Sequence, residues 1–277
     1  MILREHNALF LHIPKTGGGS LEHLFRGAKP IGPPDYEFLM GWCPDRTMWM
    51  QHATPDELVD TGLLAEEEFL ALEKFTIVRH PLDRLVSDYL WLSRRRKSGP
   101  LKDFLSRVGA YEFLKESGTK TSRFNHFRPQ SDYLTLRGEL AEIRQFRFED
   151  YGPGMLSEIH EMLNTDADRR IQISHRNASA LSKRDSLSFL TDEDLTLASS
   201  IYERDFVLLG YVPPLIEPMS STRRARQRLK MAHLCLLGKF TDSWFRARRR
   251  TERRMSAAPF RGCCKTILSR SLEKLRS

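Results

Sequence analysis

No apolar run in this sequence approaches the ~20 residues that a membrane-spanning helix needs, so a chain built around such a helix is excluded. Cysteine is scarce. Cys43, Cys235, Cys263 and Cys264 form no CxxC pair and have no histidines at zinc-ligand spacing, which excludes a structural metal site and fits a reducing compartment. There is no GK[ST] sequence, the lysine signature of P-loop NTPases, and this disfavours a kinase or GTPase. Internal repeats are also lacking. The first apolar stretch, Ala8 to Ile13, is too short for a signal-peptide core, so the chain is expected to begin at Met1 and stay inside the cell, in the cytoplasm.

What the sequence does hold is enough chain, 277 residues with 40% hydrophobic and 29% charged residues, for a substantial globular core. The net charge of +8 is unevenly spread. Residues 220–277 contain 17 of the 44 Lys and Arg but only 3 of the 36 Asp and Glu, leaving 27 basic against 33 acidic residues in the rest. Basicity thus belongs to the C-terminal extension, and the body is mildly acidic. The division expected is a domain over 1–215 and a basic helical or disordered extension over 216–277.

Along the body, Ala8 to Ile13 reads as a strand covered on both faces. Pro14 to Gly19 breaks it, and helical spacing resumes from Ser20 to Gly27. Residues 28–47 form an irregular excursion. Met48 to His52 reads as a second short strand, and Thr54-Pro55-Asp56-Glu57 as an N-cap with a capping box. Lys74 to Arg79 is a third strand, ended by His80-Pro81. Leu82, Leu85, Val86, Tyr89 and Leu90 then mark one face of a helix. Ile143 to Phe148 is a fourth strand, residues 153–163 are helical, another helix opens at Thr191 and runs to about Arg204, and Asp205 to Tyr211 closes the domain. Strands alternating with helices predict a doubly wound α/β fold, a central parallel sheet flanked by helices, with ligands at the carboxyl ends of the strands.

Two strand ends carry unusual chemistry. Pro14-Lys15-Thr16-Gly17-Gly18-Gly19-Ser20 follows a buried strand and opens a helix, so its N–H groups converge at the positive end of the helix dipole. Lys15 adds a charge, and Thr16 and Ser20 add hydroxyls; the alternative is a flexible glycine turn that binds nothing. Arg79 at a strand end and Ser87, eight residues on, form a second clamp for a phosphate, or else belong to a solvated helix face.

Leu11 to Leu21 resembles the 5′-phosphosulfate loop of the sulfotransferases that use 3′-phosphoadenosine 5′-phosphosulfate (PAPS), in the branch with bacterial members and the carbohydrate 2-O- and 6-O-sulfotransferases. That family has a threonine at the position of Gly19. Val78 to Tyr89 resembles its 3′-phosphate element, which assigns phosphate contacts to Arg79 and Ser87 and leaves Arg84 structural, paired with an acid. The resemblance implies a P-loop-like three-layer fold, PAPS as donor, a carbohydrate or glycoconjugate acceptor and no metal. Lys15 would neutralise the leaving bisphosphate, and His52 would be the base, with His126 second and His12 structural. Phe127 to Tyr133 resembles an acceptor-side loop, offering Arg128 and Gln130 to an acidic sugar. His175 to Ser179 resembles a segment near the nucleotide, through Asn177 and Ser179. Glu149 is read as a partner for a helix N-terminus.

The extension mixes basic clusters with Leu234, Trp244 and Phe245, a pattern compatible with an anionic membrane surface, a polyanionic acceptor or a solvated tail, with nucleic acid less favoured. Two rival functions stand beside sulfuryl transfer: a nucleotide kinase of similar fold, and a non-catalytic polyanion-binding protein acting through its tail.

Overall fold

The computed structural model describes residues 1–26, 34–46, 48–94, 126, 128–165 and 190–214. Asn177, Ser179 and the basic extension, expected at the nucleotide and at a surface, lie outside these residues. So does Phe127 of the acceptor-side segment.

A four-stranded sheet carries the described fold. Its members are β1 (Ile2–Leu3), β2 (Ala8–Leu11), β5 (Glu73–Val78) and β8 (Arg144–Arg147), in the order β1-β2-β5-β8. β1 is antiparallel to β2, and the other pairings are parallel, with Phe10 opposite Phe75 and Ile77 opposite Phe146. Three of the predicted strands are therefore here, the first and last each two residues shorter than expected and β5 shifted by one residue. The expected second strand, Met48 to His52, is not: Met48–Trp49 is β4, paired with β3 (Trp42–Cys43) in a separate ribbon, and Met50–His52 is a 3-10 turn. A second small ribbon joins β6 (Thr135–Leu136) to β7 (Glu139–Leu140). Among the described residues the parallel strands advance β2, β5, β8 in one direction, so the reversal that defines a doubly wound sheet is not found.

Both faces of the sheet are covered, as near-continuous apolar strands require. Ala8, Phe10, Phe75, Ile77 and Phe146 pack against α1 (Gly18–Arg26) and α5 (Pro153–Met162). On that face Phe10 and Phe75 are 5.1 Å apart and Phe75 and Phe146 6.3 Å apart, a ladder of rings across three strands. Leu9, Leu11 and Val78 face the other way, toward α2 (Pro55–Asp60), α3 (Glu66–Ala71) and the 130s segment. α4 (Pro81–Arg94) packs with α6 (Asp192–Ile201) and α7 (Glu203–Leu209) in a third cluster. Thr54 and Glu57 form the expected capping box of α2. The helix expected from Thr191 to Arg204 is two helices, broken at Tyr202, and the closing segment is helical up to Gly210, which takes the left-handed conformation suited to glycine.

Lys74 lies on the face toward α3, buried, and its ammonium donates to the carbonyls of Phe69, Leu70 and Leu72 at 3.2, 3.1 and 2.6 Å. These are the orphan acceptors at the end of α3, so the lysine caps the helix that covers its own strand. Burial lowers its pKa from the usual lysine range. Lys74→Met keeps the apolar stem and removes the three donors; it is expected to lower unfolding free energy by about 1–3 kcal/mol in urea titration.

Candidate functional site at the carboxyl ends of the parallel strands

The turns after β2, β5 and β8 converge on one edge of the sheet. After β2 the chain makes a tight turn in which Lys15 has φ 71° and Gly17 φ 89°. A left-handed lysine is uncommon and needs surrounding support. Thr16, fully buried, supplies some by donating its hydroxyl to the Ile13 carbonyl at 2.8 Å. Three glycines follow for three reasons. Gly17 has positive φ, and a Cβ there would meet the Phe148 ring at 3.0 Å. A Cβ on Gly18 would lie 2.3 Å from the His12 ring. Gly19 has ordinary φ and no neighbour within 4 Å, so nothing in the fold requires glycine there. Ser20, in the first turn of α1, hydrogen-bonds to Tyr151.

After β5, Arg79 reaches back to this turn. Its Nη1 donates to the Lys15 carbonyl at 3.2 Å, and its guanidinium lies 4.3 Å from the Phe148 ring centre, over a residue that follows β8. The two anion-binding candidates are therefore neighbours joined by one side chain. Arg79 is held in turn by a reciprocal amide latch: its N–H donates to Gln130 Oε1 at 2.9 Å and its carbonyl accepts from Gln130 Nε2 at 2.7 Å. Ser87 sits half-buried two turns on, in α4.

Arg128 and Gln130, expected on the acceptor side, are turned inward. Arg128 is 4% exposed and forks Glu57 at 2.6 and 2.7 Å, while Gln130 is fully buried on Arg79. Through these contacts both side chains brace the segment. Arg84 is structural as expected, but its hydrogen bonds go to backbone: Nη2 donates to the Arg128 carbonyl at 2.5 Å and Nη1 to that of His126 at 3.4 Å. Its charge is balanced by buried Asp205, which accepts the N–H groups of Gln130 and Ser131 at 2.8 Å each. Burial raises the Asp205 pKa, and Arg84 and the two N–H donors oppose that rise. Glu149 accepts from the His80 N–H, just ahead of α4, and from the Tyr211 hydroxyl, the helix-terminus role expected of it.

His52 ends the 3-10 turn after β4 and donates Nδ1–H to the His12 carbonyl at 2.9 Å. A carbonyl only accepts, so the tautomer is set: Nδ1 carries the proton and Nε2 the lone pair. Burial above all, then the neighbouring His12 and His126, holds the His52 pKa well below the ordinary imidazole value. His12 is buried with Nδ1 2.5 Å from Glu22 Oε1. The sequence held that signal, because a histidine in a buried strand needs a partner and Glu22 is the one acid of α1. Asp88 and Trp91, which adjoin His126, had no comparable mark. Among the described residues no group of three or more His, Cys, Asp or Glu side chains is arranged to hold a metal ion, and no helix is long and apolar enough to cross a membrane.

Gly18→Ala is expected to destabilise by about 1–3 kcal/mol, because the His12 ring must move off Glu22. Gly19→Ala should be neutral or stabilising by up to about 1 kcal/mol, and paired denaturation curves distinguish the two. The depressed His52 pKa fixes a pH dependence. Between the folded value and about 6.5 the unfolded chain binds the extra proton, so stability falls as pH drops through that window and is unaffected above it. His52→Asn should flatten the melting temperature across it.

A family model described as the sulfotransferase family matches residues 1–212. No curated protein and no solved structure matches the chain significantly. The match spans every strand of the sheet and all three converging turns, so the chain belongs to the sulfotransferase family, enzymes that transfer a sulfuryl group.

Proposed function

We propose that the chain transfers a sulfuryl group from PAPS to a hydroxyl of a carbohydrate or glycoconjugate, in a three-layer fold of P-loop-like type. The observation that carries this reading is the hydrogen bond from Arg79 to the Lys15 carbonyl, because one nucleotide phosphorylated at both ends needs two anion sites within its own span. The residues present fit such a donor. Gly17 and Gly18 bring backbone close to the start of α1, Lys15 and Arg79 supply two cations, and the open side of Gly19 adds no bulk.

In this reading the N–H groups of Gly17 to Gly19 and the Ser20 hydroxyl, with Lys15 and Thr16 shaping the turn, hold the 5′ end, and Arg79 with Ser87 holds the 3′-phosphate. The donor supplies an activated sulfuryl group with a bisphosphate leaving group. Sulfuryl transfer resembles phosphoryl transfer in its loose, in-line character, so positioning and charge neutralisation dominate. Lys15 neutralises charge on the departing oxygen, while His52 Nε2 takes the proton that the acceptor hydroxyl loses as its oxygen bonds to sulfur. His52 is suited to this because its tautomer is locked and its burial keeps it neutral near pH 7. The kinase alternative gains nothing from the turn, whose lysine precedes its glycines.

Thermal stabilisation by adenosine 3′,5′-bisphosphate, and not by Mg-ATP, tests the donor class. Arg79→Ala should weaken bisphosphate binding on the order of 10-fold or more, as a charged hydrogen-bond donor implies. Lys15→Ala should abolish transfer while the melting temperature of the free protein holds. Labelled PAPS offered to a panel of glycans, lipids and small alcohols identifies the acceptor; label accepted only by non-carbohydrates would overturn the acceptor class. Bisphosphate that fails to raise the melting temperature would overturn the donor.

A further inference from the structure

Three imidazoles stand in a row at this site. His12 and His52 have ring centres 4.5 Å apart, and His52 and His126 5.8 Å apart in an edge-to-face contact. Each ring is turned by its Nδ1 toward an acceptor: His12 toward Glu22, His52 toward the His12 carbonyl and His126 toward Asp88 Oδ1 at 2.7 Å. All three Nδ1 atoms are thus donors, and a carboxylate terminates the row at each end.

The Asp88–His126 end is not a surface accident. Asp88 is buried, and among the described residues its Oδ2 meets no donor, so its hydrogen bonding there goes to His126. The His126 ring also stacks on Trp91, 4.7 Å between centres and 12° between planes. Asp88 and Trp91 are three residues apart on α4, which places both on one side of the helix. The Lys15 ammonium lies 5.5 Å from the centre of the same Trp91 ring. Trp91 is therefore shared by the lysine assigned to the leaving group and by the imidazole that touches the assigned base.

We propose that His126, anchored by Asp88 and stacked on Trp91, is a positioning residue that holds the His52 imidazole in the orientation and electrostatic surroundings of a neutral base beside the Lys15 turn. This rests on the sulfotransferase reading of the site. His126 acts through His52: the acceptor proton goes to His52 Nε2, and His126 fixes where that nitrogen sits and how readily it stays unprotonated until then. The charged and titratable groups around the pair enter with their own signs. His12, backed by Glu22, and His126, backed by Asp88, face His52, and the Met1 amino group adds a smaller effect of the same sign. Tyr133 donates its hydroxyl to the His52 carbonyl, and Arg84 donates to the His126 carbonyl. The His126 ring is one of the groups that lower the His52 pKa, so its removal makes His52 easier to protonate.

The test is a histidine-labelled NMR titration of the full chain, free and with adenosine 3′,5′-bisphosphate, in the wild type, His126→Asn, His126→Gln and Asp88→Asn. In both His126 variants the His52 midpoint should move up by on the order of one pH unit, the coupling expected of interacting sites. His126→Gln keeps an amide donor for Asp88, so a folded sample remains if His126→Asn does not fold. In the wild type the His126 ring signals should be displaced by the Trp91 ring current, and Asp88→Asn should return them toward random-coil positions. An unmoved His52 midpoint, or wild-type His126 signals already at random-coil positions, overturns the proposal. If bisphosphate binds and the midpoint is unmoved, only this inference falls; if bisphosphate fails to bind the wild type, the donor reading falls and takes the inference with it.

Discussion

The bond from Arg79 to the Lys15 carbonyl is the constraint on which the rest of the site depends. It ties the end of β5 to a turn that β2 alone cannot hold, since that turn carries a lysine in the left-handed region. The same guanidinium covers Phe148 after β8, so one side chain gathers three strand ends. A parallel sheet puts these ends side by side, and the side chain converts proximity into geometry. Burial lowers the Arg79 pKa, with Asp83 and Glu149 opposing the shift, and a partly desolvated cation is one that an anion can engage strongly.

Behind that contact lies a set of buried polar groups, each matched to a particular need. Gln130 latches both backbone groups of Arg79, Asp205 accepts the N–H groups of Gln130 and Ser131, and Arg84 balances Asp205 while holding the carbonyls of His126 and Arg128. Arg128 closes the circuit onto Glu57, which also completes the capping box of α2. Such a network is stable only when its members are satisfied together, and loss of one leaves charge or amide stranded in a poorly screened interior.

Elements governed by local rules were legible in the sequence. The strand at Ala8, the capping box at Thr54, the strand ended by His80-Pro81 and the glycine turn all follow from periodicity, capping and proline geometry, and they lie where expected. Met48 to His52 misled because two bridged residues and a 3-10 turn share the apolar pattern of a longer strand. The pairings of Arg128 and Gln130 were hidden for another reason. The resemblance of their segment to an acceptor-side loop suggested a ligand, whereas the partners seen, Glu57 and Arg79, come from segments 71 and 51 residues away. Pairings at that range leave no mark on local spacing. The clustering of His12, His52 and His126 is invisible for the same reason, although the partnership of His12 with Glu22 within one strand–turn–helix unit was within reach.

The dependence of Gln130 on Asp205 reaches beyond the site itself. Asp205 belongs to α7, the last described helix, which contributes nothing to the sheet and lies far along the chain from the turns at Lys15 and Arg79. Its carboxylate nonetheless sets the backbone that holds Arg79. A fragment ending near Asp150 would retain every sheet pairing and both of those turns yet lose the carboxylate that fastens the Gln130 backbone. The side chains that hold Arg79 in place therefore extend to Asp205, well past the point where the sheet is complete.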